Sequence, residues 1–354
     1  MRFAFTDDQL MLRDAVRDFL TKEYTAVQVR EAWDAAADPT PPEGRLERPV
    51  WSALAEMGVV GLLVPEADGG LGMGPLDQVL LLEETGRVAL ADPIVETAAV
   101  AAPLLADLAP ELNRTDWLTA ITSGWSTVAV DIPVEGVRVP FVVDADRADL
   151  LVAARGDRLV AVASGAITTV AQPSVDRARR LFEVSWDPSS EIVLAEGPAA
   201  TDATAAAFDR GALGAAAQLV GLADRALELT VEYVKERKQF GVPIGSFQAV
   251  KHHLADALLQ LEFARPVVHR AAYSMATGSP DVARDVSMAK AYASDAALLV
   301  ARKALQCHGA IGYTVEYDLH LWMKRIWALA ASWGDATWHR ERVATSVFDA
   351  RPAH

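Results

Sequence analysis

Apolar residues recur at three- and four-residue intervals over most of this chain. Leu10, Leu12, Ala15, Val16, Phe19 and Leu20 follow Thr6, which predicts a helix capped by Thr6. The polar, Pro-rich stretch Asp38–Gly44 cannot be helix and reads as a surface loop. Trp51–Met57 resumes a helix, Pro65–Gly72 is turn-rich, and Leu76–Arg87 is helical again. Near Ser126 the texture changes. Val128, Val130, Val134, Val137, Val139, Val142 and Val143 are β-branched, and Pro or Gly punctuates them. Leu150–Ala154, Leu159–Ala163, Ala166–Ala171, Leu181–Val184 and Ile192–Leu194 read as further short strands of a small antiparallel domain, with Gly197-Pro198 opening an exit linker.

From about Thr204 the pattern is helical to the end. Leu213, Ala216, Ala217, Val220, Leu227, Val231 and Val234 form one apolar stripe. Phe247, Val250, Leu254, Leu258 and Leu261 form a second, and Val286, Ala289, Ala293, Ala296, Val300 and Ala304 a third. Leu329, Trp333 and Val343 belong to a last segment. Short turns at Gly241–Gly245 and Gly278–Pro280 make these helices antiparallel neighbours in a four-helix bundle. The predicted fold is therefore mostly α with a small β domain: an N-terminal helical domain (1–125), a middle β domain (126–203) and a C-terminal bundle (204–354).

Composition narrows the function classes. The chain has 354 residues, 51% of them hydrophobic, enough for a large core. Its net charge of −15 repels phosphate backbones, so nucleic acid is not an expected partner. The single cysteine, Cys307, excludes an internal disulfide framework and reads as a small buried hydrophobe, in keeping with a cytoplasmic location. The start turns acidic before any long apolar run, which argues against a signal peptide, and no stretch reaches membrane-span length. The Ala-rich runs Ala98–Ala106 and Ala212–Ala223 read as buried helices.

Six motifs carry candidate chemistry. Near the start are Gly58–Glu66, Gly69-Gly70-Leu71-Gly72 and Glu83-Glu84-Thr85-Gly86-Arg87. Later come Glu236-Arg237-Lys238-Gln239-Phe240-Gly241, Ile244–Lys251 and Gln306–Tyr313. By themselves, Arg237 and Lys238 would be basic residues complementing a helix dipole, and Gln306–Gly312 a helix end with a glycine cap. Taken together at these separations, they resemble the acyl-CoA dehydrogenase family over both helical domains. The resemblance implies an FAD-dependent oxidoreductase that desaturates an acyl-CoA thioester and passes electrons to an electron-transfer flavoprotein. It also implies that Arg237, Lys238, Gln239, Phe247, Gln248, Gln306, Gly309 and Ala310 contact the adenine and pyrophosphate end of an FAD held mainly by a neighbouring subunit. The chemistry suits that role, because a guanidinium can grip a pyrophosphate bidentately and glycines let backbone approach a flat ligand. Ala310 stands where the family usually has glycine.

The family's reaction needs a carboxylate to remove the α-proton. The two positions that carry it in the family correspond here to Trp333 and Gly211, neither of which can accept a proton. Asp335 and Asp209 each lie two residues away, where a helical side chain points elsewhere. The middle domain also lacks the Gly-Ser-Asp stretch that cradles the flavin ring; its nearest run is Val128–Gly136. The pattern resembles the non-catalytic subunit of actinobacterial α2β2 acyl-CoA dehydrogenases, which implies a homologous catalytic subunit as partner. The alternatives are a self-sufficient homotetramer with a displaced base such as Asp335, and an acyl-CoA-binding scaffold. His308 and the tryptophans 322, 327, 333 and 338 are expected to pack, and His252-His253 to lie on an exposed or interface face.

Overall fold

The structure, a computed structural model, describes residues 4–36, 48–109, 111–137 and 141–348. The Pro-rich loop predicted at Asp38–Gly44 and the strand position Val139 lie outside the described residues.

The N-terminal part contains α1 (Asp7–Glu23), α2 (Ala26–Ala35), α3 (Pro49–Glu56), α4 (Pro75–Arg87), a π-helical turn (Val95–Ala101), α5 (Ala102–Leu108) and α6 (Glu111–Thr122). Thr6 caps α1 as expected: its hydroxyl accepts from the Gln9 amide, while Gln9 reaches back to the Thr6 N–H at 2.9 Å. The Glu83–Arg87 motif proves to be a docking seam. The buried Glu83 accepts from Arg265 at 2.6 Å, Glu84 from Arg17, and Arg87 donates to Asp224 and Glu228. Gly86 and Gly221 let α4 meet the long helix that follows; a Cβ at Gly221 would come within 1.9 Å of the Glu83 carbonyl oxygen.

Seven strands follow: β1 (Val128–Asp131), β2 (Val142–Val143), β3 (Leu150–Arg155), β4 (Arg158–Ala163), β5 (Ile167–Gln172), β6 (Leu181–Trp186) and β7 (Ile192–Glu196). They form two sheets, ordered β1-β3-β4-β7 and β2-β6-β5. The expected all-antiparallel arrangement fails at one place: β1 runs parallel to β3, because the chain between them crosses to the second sheet through β2. Ala129, Val142, Leu151, Ala153, Val160, Val162 and Phe182 fill the space between the sheets. Val134 and Val137 lie outside the strands.

Gly197-Pro198 is not a linker. Gly197 caps α7 (Pro198–Glu236) and Pro198 occupies its first turn, where the missing N–H costs nothing. The hairpin β8 (Lys238–Gln239) and β9 (Val242–Pro243) leads to α8 (Gln248–Ala276), α9 (Val282–His308), α10 (Leu319–Ala331) and α11 (Ala336–Phe348). The stripes expected on α7 and α9 are buried, apart from the half-buried Val231. The stripe on α8 holds only in part. Leu261 is buried, Val250 and Leu254 are half-buried, and Phe247 and Leu258 are exposed; the rest of the buried face is Ala257, Ala264 and Val268, whose small side chains let α9 pack closely. Among the described residues no helix is long and apolar enough to cross a membrane.

Candidate functional site

The residues singled out near Arg237 and Gln306 meet at one end of the bundle. The last turn of α7 carries Tyr233, whose ring stacks on His308, the last residue of α9, with centroids 4.3 Å apart. Tyr317 closes the cluster against both. The Arg237 N–H completes α7 by bonding the Tyr233 carbonyl, and the Ile244 N–H returns to the Arg237 carbonyl at 2.8 Å. The β8–β9 hairpin and the Gly309–Tyr313 turn therefore leave the bundle side by side.

Arg237, Lys238, Gln239, Phe247, Gln248, Gln306, Gly309 and Ala310 are all exposed there. Among the described residues, the side chains of Arg237 and Lys238 have no ion pair or hydrogen bond, whereas the buried Arg325 is spent on Asp176 and the Leu90 carbonyl. A Cβ at Gly309 would meet nothing within 4 Å, so the backbone there is open to a ligand. Phe240 holds a left-handed φ of 54° and is 92% exposed, an aromatic presented outward at a conformational cost. The uncommitted groups of Arg237 and Lys238, the amides of Gln248 and Gln306 and the open backbone at Gly309 form a donor surface suited to the pyrophosphate end of FAD, while the Gln239 amide donates to the Lys238 carbonyl at 2.8 Å. His308 packs as expected: Nδ1 donates to the Ala304 carbonyl, Nε2 has no partner, and burial lowers its pKa.

The second region lies midway along α7. Trp333 and Gly211, distant in sequence, are in contact: a Cβ at Gly211 would fall 2.5 Å from the indole atoms Cδ2 and Cε3. The indole thus fills the space at both positions where the sequence lacks a base, and it packs edge-on against Phe208. Trp333 has a φ of 54° and a clamp that holds it there. The His339 Nε2–H donates to the Trp333 carbonyl at 2.8 Å, and the ammonium of Lys290 donates to the carbonyls of Ala330 and Gly334 and to Ser294. Burial lowers Lys290 to about 7 and His339 to about 3, so the imidazole is neutral near pH 7. Asp335 is occupied as a helix cap, accepting from the Trp338 N–H at 2.8 Å, and Asp209 is paired with Arg342.

Beside Trp333 is a cavity of about 290 Å³ between β1, β2 and α10, lined by apolar side chains together with Glu96, Arg179 and Ser174. Sequence reasoning missed Glu96, Arg179 and Lys290. The available signal was a charge inside an Ala-rich run: Glu96 in Val95–Ala106 and Lys290 in α9.

Residues 6–125 match the acyl-CoA dehydrogenase N-terminal domain, and residues 201–348 match the acyl-CoA dehydrogenase C-terminal domain. The chain belongs to the acyl-CoA dehydrogenase family. It is 32% identical to the acyl-CoA dehydrogenase IpdE2 of Mycolicibacterium smegmatis over 97% of this chain and all of that one. A steroid acyl-CoA dehydrogenase has a similar structure, with a TM-score of 0.85 and 26% identity over 97% of this chain and 98% of that one. A chain of the ChsE4–ChsE5 complex from Mycobacterium tuberculosis matches in fold, with a TM-score of 0.86 at 24% identity over the full length of both. The homologous acyl-CoA dehydrogenases are oxidoreductases, and the family's cofactor is FAD.

Proposed function

We propose that this chain is the non-catalytic subunit of an α2β2 acyl-CoA dehydrogenase and completes the FAD site of a homologous catalytic subunit. The observation that carries the reading is the Trp333 indole packed against Gly211, which leaves no carboxylate at either place where a base could stand. Distance supports it. At about 1.5 Å of rise per residue, Gly211 and Arg237 lie roughly 40 Å apart along α7, so the donor surface serves a cofactor other than one seated at this chain's own Trp333.

In this reading Arg237 and Lys238 neutralise the pyrophosphate, Gln239, Gln248 and Gln306 bond its sugar and phosphate oxygens, and Phe247 with the open turn at Gly309 and Ala310 receives the adenine end. When bound, FAD supplies the acceptor for the β-hydride of the acyl-CoA. The partner subunit supplies the base, and an electron-transfer flavoprotein takes the electrons onward. The domains divide near residue 125 and, because α7 is continuous from Pro198, near residue 197 and not at the expected 203. The acyl group is a sterol side chain or another lipid chain, a reading supported by the steroid-active structural relative.

Absorbance of the purified protein in the flavin bands tests the proposal. The chain alone should be nearly colourless and inactive, and co-expression with a catalytic partner should give a yellow complex with about one FAD per heterodimer. Full dehydrogenase activity from the chain alone would overturn it. The displaced-base alternative predicts that Asp335→Asn abolishes such activity; the hydrogen bond from Trp338 N–H to Asp335 speaks against it. The scaffold alternative predicts no flavin in any native complex, and the uncommitted Arg237 speaks against that.

A further inference from the structure

We infer that the cavity beside Trp333 is a second ligand site, one that binds a compact apolar alcohol without transforming it. The wall is mostly apolar, with Val130, Ile132, Phe141, Leu181, Trp327 and Trp333. Into it project two opposite charges, the carboxylate of Glu96 and the guanidinium of Arg179. Glu96 is 7% exposed. The Arg179 Nη2 and Glu96 Oε1 stand 3.7 Å apart, close enough to attract and too far to hydrogen-bond. Among the described residues neither side chain makes a hydrogen bond, whereas the neighbouring Arg180 and Arg325 are spent on Asp146 and Asp176. Both groups line the cavity with hydrogen-bonding capacity to spare, so a ligand that carries a donor and an acceptor side by side satisfies both.

Glu96 is placed by the backbone as well. It sits on the π-helical turn Val95–Ala101, a widened turn of a kind frequent at functional sites. The seven-residue turn has a single charge in it.

A hydroxyl answers the pair with one atom, because its proton donates to Glu96 while its oxygen accepts from Arg179. A carboxylate would meet the negative charge of Glu96. Trp333 and Gly211 stand where the family's base is expected, and a hydroxyl offers Glu96 a hydrogen bond and no acidic α-proton, so the bound alcohol is held unchanged. This inference rests on the same indole as the proposed function. Its test needs neither FAD nor partner, so the two can fail separately.

The test is calorimetric titration of the full chain near pH 7 with adamantylmethanol and adamantanecarboxylate, two compact probes of one skeleton. The wild-type chain should bind the alcohol roughly tenfold or more tightly than the acid, as expected for a like charge opposing the carboxylate. Glu96→Gln keeps the shape and removes the charge, so it should reverse the order. Absence of binding by both probes, or an unchanged order in Glu96→Gln, overturns the inference. If Glu96→Gln fails to fold by circular dichroism, Arg179→Met decides: a loss of alcohol affinity of roughly tenfold supports the site, and retained affinity overturns it.

Discussion

A glycine at 211 and an indole at 333 are each unremarkable in a helical protein; their contact makes them informative. Because a Cβ at Gly211 would lie 2.5 Å from two indole carbons, Gly211→Ala should destabilise the chain by about 1–3 kcal/mol in urea unfolding. Trp333→Ala should relieve the clash, so the double variant should lose less than the sum of the single losses by at least about 0.5 kcal/mol. Additive losses would mean the two do not share one space. Arg237 is the opposite kind of residue, exposed and without a partner among the described residues. Arg237→Ala should leave stability within about 0.5 kcal/mol of wild type, yet weaken FAD retention by the assembled complex roughly tenfold or more. Equal FAD retention would remove Arg237 from the cofactor's grip.

At the scale of elements, the α10–α11 turn that presents Trp333 is fixed by side chains from α9 and α11. Lys290 is fully buried and lowered to about 7 from an ordinary value of 10.5. The unfolded chain therefore holds more protons between pH 7 and 10.5, and the wild type gains stability as pH rises through that window. Lys290→Met lacks this term, so the stability difference between wild type and variant should shift in favour of the wild type by a few kcal/mol from pH 7 to 10. His339, lowered from 6.5 to about 3, acts in the same direction at lower pH: its contribution is present above 6.5 and is lost as pH falls toward 3. Denaturation curves at several pH values read both. A difference independent of pH would mean that Lys290 keeps an ordinary pKa in the fold. The helices themselves were legible where apolar stripes were regular, as on α7 and α9. On α8 the expected stripe holds at Leu261 and fails at Leu258, which faces outward while Ala257 and Ala264 face in. Hydrophobicity ranks leucine above alanine, but close helix packing selects the smaller side chain. The parallel pairing of β1 with β3 was likewise invisible, since strand direction depends on a crossover and not on alternation.

The whole molecule is joined along the α4 seam with the bundle. Arg265 and His269 both reach the buried Glu83, across the boundary between the two helical domains. Arg265→Ala should cost about 1–3 kcal/mol by leaving that carboxylate underpaired, and adding Glu83→Gln should recover part of the loss. Thermal unfolding that separates into two transitions in Arg265→Ala would further show how much this seam couples the domains. The order of helical, β and helical parts is written in local periodicity, and the family in the separations of motifs such as Glu236–Gly241 and Gln306–Tyr313. The resemblance also marks positions 211 and 333 as places where a base is expected, and the residue types there, Gly and Trp, cannot do the chemistry. Only the tertiary structure decided that Gly211 and Trp333 share one volume, that Arg237 and Gly309 open on one surface, and that Glu96 and Arg179 face each other across a cavity. Those facts depend on side chains from separate elements meeting in space, and no spacing along the chain encodes which faces will meet.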